Sequence, residues 1–203
     1  MKRSKIYSIL RILTMPFFKV IYRFKIEGQS NIPSSGRCIL CANHTSMADP
    51  VLLAIALKRQ ICFMGKAELF KNKFLGKLLL SARAFPVNRG KKDSEAINYS
   101  LDILKQDEIM GIFIEGTRSK NDEFLRPKPG AALIAYNTDS PIIPVYIRSK
   151  GGKRIKAFRK SFVIIGKPIS PHDLGITSVS GKELRDASRD RKSTRLNSSH
   201  IPL

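Results

Sequence analysis

Asn43-His44-Thr45-Ser46-Met47-Ala48-Asp49-Pro50 sets one of the chain's three histidines five residues before an aspartate. A carboxylate that reaches an imidazole fixes its tautomer and stabilises the imidazolium formed when the ring takes a proton. His44 and Asp49 therefore suit a general base and its orienting partner. The spacing alone is weak evidence, because Asp49 before Pro50 equally suits a helix start. The flanks add to it. An apolar run ending in Cys41-Ala42 precedes the pair and a helix-like run, Val51 to Leu57, follows. The pair falls where a strand hands over to a helix.

Two further segments carry groups suited to an anion. Phe85-Pro86-Val87-Asn88-Arg89 ends a strand-like run with a guanidinium. Phe113-Ile114-Glu115-Gly116-Thr117-Arg118-Ser119 ends another with a carboxylate, a turn glycine, a hydroxyl and a guanidinium. The fixed fork of arginine matches a phosphate, and two could hold a phosphomonoester. Gly116 permits close backbone approach and Thr117 supplies a hydroxyl donor. Cys38 and Cys41 form a C-x-x-C, but no second pair completes a metal or redox site, and small buried thiols are expected. His44 and Asp49 lack a third ligand, so no metal is implied.

The elements that must position these groups alternate. Strands are expected over 37–42, 60–64, 84–87, 111–114, 142–147 and 162–165. Helices are expected over 49–59, 67–82, 93–106 and from Gly130 to Tyr136. The helix over 93–106 shows Ile97, Leu101 and Leu104 on one face, with Asp93 or Ser94 as N-cap. This alternation predicts a single α/β domain around a mostly parallel central sheet flanked by helices. Ligands of such folds gather at the carboxyl ends of the strands, which is where the loops at 43–49, 86–92 and 115–129 fall.

Hydrophobic residues make up 42% of the 203, which excludes a disordered chain. Lysine and arginine number 37 against 16 acids, a net charge of +21. Such a field attracts polyanions: nucleic acid, an anionic membrane or phosphorylated substrates. No nucleic-acid module is recognisable, so nucleic acid is not the expected partner. Three cysteines are too few and too odd for a disulfide framework and suit a reducing compartment. Residues 1–24 read as an N-terminal amphipathic helix lying on a membrane surface. Arg11 and Lys19 interrupt its apolar run and Pro16 kinks it, which argues against a spanning segment. The alternative, packing on the domain's own core, is compatible on the helix's other face. Lys71, Lys73 and Lys77 flank apolar Phe74-Leu75 and Leu78-Leu79-Leu80, and residues 150–160 hold six basic side chains. Residues 25–189 form the main domain. At its end Ser180 to Ser188 reads as a helix cut short. Residues 190–203 have no apolar period, and Asp190–His200 resembles one translated frame of a common sequencing adapter, so this tail is read as not native.

Together these segments resemble the glycerolipid acyltransferase family, and within it the bacterial branch acting on 1-acyl-sn-glycerol 3-phosphate. Asn43-His44-Thr45-Ser46-Met47-Ala48-Asp49 resembles the N-H-x-S-x-x-D block. Gly65-Lys66-Ala67-Glu68-Leu69-Phe70 with Phe85 to Arg89 is similar to the second block. Phe113 to Ser119 resembles F-P-E-G-T-R-S with Ile114 for the proline, and Pro141-Ile142-Ile143-Pro144-Val145 resembles the last. The resemblance implies a glycerol-3-phosphate acyltransferase-like fold. It also implies acyl transfer from acyl-ACP or acyl-CoA to lysophosphatidate, without a cofactor, at the cytoplasmic face of the cell membrane. His44 would be the base and Asp49 its orienter. Arg89, Glu115, Gly116, Thr117, Arg118 and Lys66 would bind substrate, and Pro144 would line the acyl or acceptor pocket. Amides at the start of the helix after His44 are expected as oxyanion donors. Ser46 and the cysteines are the alternative nucleophiles. Glycerol 3-phosphate or another lysophospholipid is the alternative acceptor, and a basic membrane- or nucleic-acid-binding protein the non-enzymatic reading.

Overall fold

The computed structural model describes residues 5–88, 93–119, 125–152 and 154–174. Arg89, the side chains of Asp93 and Ser94, the helix expected near 180–188 and the adapter-like tail lie outside the described residues. Seven strands form one sheet: β1 (Lys25–Glu27), β2 (Cys38–Ala42), β3 (Ile61–Lys66), β4 (Ala84–Val87), β5 (Ile109–Phe113), β6 (Ile142–Ser149) and β7 (Ser161–Ile165). Their spatial order is β1-β7-β6-β2-β5-β3-β4. From β6 to β4 neighbours run parallel, whereas β7 returns antiparallel to β6 and carries β1 parallel to itself. The expected mostly parallel α/β sheet is present.

β2 lies at the centre with every residue buried. A strand covered on both faces needs apolar side chains at every position, which Cys38-Ile39-Leu40-Cys41-Ala42 supplies. Cys38, Leu40 and Ala42 enter one core, and Ile39 and Cys41 the other. The C-x-x-C thiols thus point to opposite faces and cannot form one site.

Helices α1 (Lys5–Tyr22) and α2 (Asp49–Ala56) cover the first face, and α3 (Lys73–Ser81) joins them through Leu79. Helices α4 (Asp93–Lys105) and α5 (Gly130–Thr138) cover the second. α2 buries Leu52, Leu53 and Ile55, each contributing about 1.5–3 kcal/mol. Its last carbonyls would be orphaned, but three side chains reach them. Tyr7 donates its hydroxyl to Ala54 O at 3.2 Å, Arg11 its Nη2 to Ile55 O at 3.2 Å, and Gln29 its Nε2 to Ala56 O at 2.6 Å. Arg11, which breaks the apolar run in the sequence, is therefore a helix cap turned inward. The helical assignment of α1 continues through Pro16.

α1 is apolar on two sides. Met15, Phe18 and Tyr22 pack on the core, while Ile9, Ile12, Leu13, Phe17 and Val20 are exposed. Among the described residues no helix is long and apolar enough to cross a membrane. The helix expected over 67–82 is two elements. A 3-10 turn at Ala67–Phe70 precedes α3, which Asn72 caps by accepting from the amides of Phe74 at 3.1 Å and Leu75 at 3.0 Å.

Candidate active site

The ends of β6, β2, β5, β3 and β4 meet at one edge of the sheet. Ala42 is in register with both Phe113 and Val145, and Lys66 with Val87. The chain leaves β2 through Asn43, which is fully buried. Its amide behaves as a piece of strand: Nδ2 donates to Ile147 O, and Oδ1 accepts from Ile147 N, both at 2.8 Å. This fixes the exit point of β2 against β6, and so the start of the His44 loop.

The loop then closes on Asp49. The Oδ2 atom of Asp49 accepts from the amides of Thr45 at 2.7 Å and Ser46 at 2.8 Å, and lies 2.9 Å from His44 Nδ1. An ionised carboxylate in that position selects the Nδ1–H tautomer and leaves Nε2 with the lone pair. Asp49 is wholly buried and the His44 side chain is 13% exposed, so the ring reaches solvent at one edge. Asp49 is the first residue of α2, yet its carboxylate does not cap that helix; it turns back to the loop.

Below the ring lies a stack of aromatic groups. His44 stacks on Phe113 with centroids 4.1 Å apart, and Phe113 on Phe63 at 5.9 Å. Gly111 makes room for it, since a Cβ there would stand 2.3 Å from Phe63 Cε1. One flank of the imidazole is thus dry.

The loop after β5 is tied to the same residue. Ile114 donates its amide to Ala42 O at 3.2 Å, and Ser119 its amide to His44 O at 2.9 Å. Between them Gly116 turns with φ +69, a left-handed conformation that glycine adopts without strain. Lys128 lies across this turn, with its amide bonded to Ile114 O at 2.7 Å. Glu115 and Ser119 are buried, while Thr117 and Arg118 are exposed at the tip. Lys66 ends β3 on the same edge, exposed and 3.2 Å from Glu68. The Glu68 carboxyl is held below the usual range by its own backbone amide and by Lys66.

Three expectations change. Pro144 lies within β6 in register with Cys41, and strand alternation puts it on the face of Ile142, opposite the His44 ring. It packs the sheet and does not line the site. The amides at the start of α2 are largely taken: Thr45 and Ser46 serve Asp49, Ala48 donates to Ser46 Oγ at 3.2 Å, Asp49 to Ser46 O at 3.3 Å, and Pro50 has none. They are poor oxyanion donors. The thiols are poor nucleophiles, because burial pushes Cys38 up to about 11 and Cys62 up to about 12, with Glu108 adding to the latter. Sequence reasoning assigned no role to Asn43, Phe113, Ser119 or Lys128, whose parts depend on long-range contacts.

A buried carboxylate orienting a partly exposed imidazole at the strand ends of an α/β sheet is the geometry that general-base chemistry requires. The Acyltransferase family model matches residues 23–148. The chain is 34% identical over 151 residues to the 1-acyl-sn-glycerol-3-phosphate acyltransferase of Bacillus subtilis (strain 168), covering 73% of this chain and 75% of that protein. It is 40% identical over 109 residues to the protein of the same name from Streptococcus pneumoniae, covering 53% of this chain and 40% of that protein. The crystal structure of the 1-acyl-sn-glycerophosphate (LPA) acyltransferase PlsC from Thermotoga maritima has the same fold, with a TM-score of 0.73 at 23% identity, over 98% of this chain and 80% of that one. The chain belongs to the acyltransferase family.

Proposed function

We propose that this enzyme transfers a fatty acyl group from a thioester to the sn-2 hydroxyl of 1-acyl-sn-glycerol 3-phosphate, giving phosphatidate for phospholipid synthesis. The observation that carries the reading is the pairing of His44 and Asp49 within a loop whose backbone holds Ser119, the residue after Arg118. Base and candidate phosphate ligand are thereby linked through one hydrogen bond. The names of the relatives from Bacillus and Streptococcus support the same substrate class.

In this reading His44 Nε2 takes the proton of the acceptor hydroxyl as its oxygen attacks the thioester carbonyl. Asp49 stabilises the imidazolium. The tetrahedral intermediate collapses, the C–S bond breaks, and the imidazolium proton leaves with the thiolate. No acyl-enzyme is needed, since the positioned hydroxyl is itself the nucleophile. Arg118, Thr117 and Lys66 hold the acceptor phosphate, with Arg89 as the further guanidinium. Gly116 shapes the turn, and Glu115 supports it from inside. The donor is acyl-ACP or acyl-CoA, and the enzyme works on the cytoplasmic face of the cell membrane with the apolar outer face of α1 against the lipid. The test is an acylation assay with lysophosphatidate and each donor in turn, with glycerol 3-phosphate as competing acceptor. Phosphatidate formation is expected. Exclusive acylation of glycerol 3-phosphate, or wild-type turnover by His44→Ala, would overturn the reading.

A further inference from the structure

Away from His44, the other end of the same sheet edge carries a shallow cleft of about 420 Å³ lined by Arg23, Lys150, Arg159 and Lys160. Topology brings these four together. Arg23 follows α1 just before β1, Lys150 follows β6, and Arg159 and Lys160 precede β7, whose reversed direction returns the chain to that edge. The amide of Lys150 donates to Lys160 O at 2.7 Å, and the Arg159 guanidinium lies over Gly151. Among the described residues none of the four takes part in an ion pair. From Ser140 to Pro171 the sequence holds eight basic residues and no acid. Four basic residues around one concavity, with no acid in this stretch of chain, favour an anionic partner there.

A second observation says which anion. Phe158, the residue before Arg159, is 75% exposed with φ 60. The other non-glycine residues with positive φ follow helix ends or are short and polar, whereas an aromatic side chain in the left-handed region is strained outside such a cap. Its amide donates to Ile21 O of α1, which ties this residue to the end of the helix that exposes Ile12, Leu13, Phe17 and Val20. Cations beside an apolar face and a raised aromatic ring match the two layers of a lipid surface. A soluble anion would explain only the charges.

We propose that this cleft holds the phosphate of an anionic phospholipid headgroup, and that Phe158 and the outer face of α1 enter the lipid beside it. The site is distinct from the acceptor site. The inference rests on the proposal that the enzyme works at a membrane surface.

The test is flotation of the full chain with vesicles of phosphatidylcholine alone, or of three parts phosphatidylcholine to one part phosphatidylglycerol. Lys150→Gln with Arg159→Gln should weaken binding to the anionic vesicles about thirtyfold, at about a fivefold loss for each charge near the surface. Lys58→Gln with Lys105→Gln makes the same charge change at the opposite sheet edge and should leave binding near wild type. Phe158→Gly removes the ring and relieves the backbone; vesicle affinity should fall several-fold while thermal stability holds or rises. Acylation of a short-chain, monomeric lysophosphatidate should be unchanged in every variant. Equal losses in the two double variants would reduce the effect to diffuse charge and overturn the site. So would a raised KM for the thioester donor with unchanged vesicle binding, which would assign the cleft to the donor. No binding to any vesicle would end the membrane reading as well, leaving the chemistry at His44 untouched.

Discussion

Asn43 and Ile147 exchange two hydrogen bonds of 2.8 Å across 104 residues of chain, side chain to backbone. The pair extends the ladder of β2 and β6 by one rung beyond the last strand residue. It is the hinge pin of the His44 loop. Asn43→Ala leaves a buried amide and carbonyl of Ile147 unpaired. A loss of about 1–3 kcal/mol per orphaned group is expected, read by chemical denaturation, together with a fall in kcat as His44 drifts from its place. Asn43→Asp removes the donor and adds a buried charge, and should be worse than alanine.

The His44–Asp49 contact gives the second expectation. His44→Ala should lower kcat by about 10²–10⁴-fold. Asp49→Asn can still accept the Thr45 and Ser46 amides, so the loop survives, but it no longer stabilises an imidazolium. Turnover should fall with little change in KM for the acceptor. A loss confined to KM would mean that the pair binds and does not catalyse.

Arg118 is exposed at a loop tip, so Arg118→Ala should leave stability within about 0.5 kcal/mol of wild type. KM for lysophosphatidate should rise far more than KM for a neutral lysolipid of equal chain length. Equal changes on both acceptors would remove the arginine from the phosphate site.

Gly116 at φ +69 is where a side chain is least welcome. Gly116→Ala should cost about 1–2 kcal/mol from the left-handed backbone. The contact with Lys128 Cε, 2.8 Å from the added Cβ, can relax because that side chain is flexible. Activity should drop with stability, and Lys128→Ala in the same chain should not restore it.

The buried thiols predict an alkaline limit. Cys38 and Cys62 rise from 9.0 to about 11 and about 12 in the fold. The folded state therefore disfavours the thiolates. The contribution is present in full below about pH 9, the unfolded value, and is lost as pH rises through 11 to 12. Denaturation midpoints should fall across that window, and Cys62→Ala should flatten the fall. At neutral pH neither thiol should react with iodoacetamide until the protein unfolds.

Much of this was readable from residue order. Central strands such as Ile109–Phe113 are continuous apolar runs because both faces are covered, and the alternation with helices follows from that burial. The His44–Asp49 spacing was legible because both partners lie in one loop. β1 was not: Lys-Ile-Glu is three residues long and two of them are charged. The break between the 3-10 turn and α3 depends on one cap, Asn72, within a run whose apolar spacing suits a single helix. Pro144 misled because a strand buried on both sides carries no mark of which face holds the site. The loop positions set by Asn43 and Ser119 need contacts between distant segments, and no local pattern encodes them. Ile114 shows the reverse: its amide bonds Ala42 O, a bond that a proline in its place could not make.

The three caps on α2 have a mechanical consequence. At eight residues α2 is about 12 Å long. Two of the side chains that hold its far end, Tyr7 and Arg11, come from α1, and its near end is Asp49. The helix is a short strut with the N-terminal segment gripping one end and the orienting carboxylate fixed to the other. Deleting the residues before Lys25, α1 among them, to simplify the protein would therefore not merely shed a surface helix. It would loosen the part that aims the imidazole.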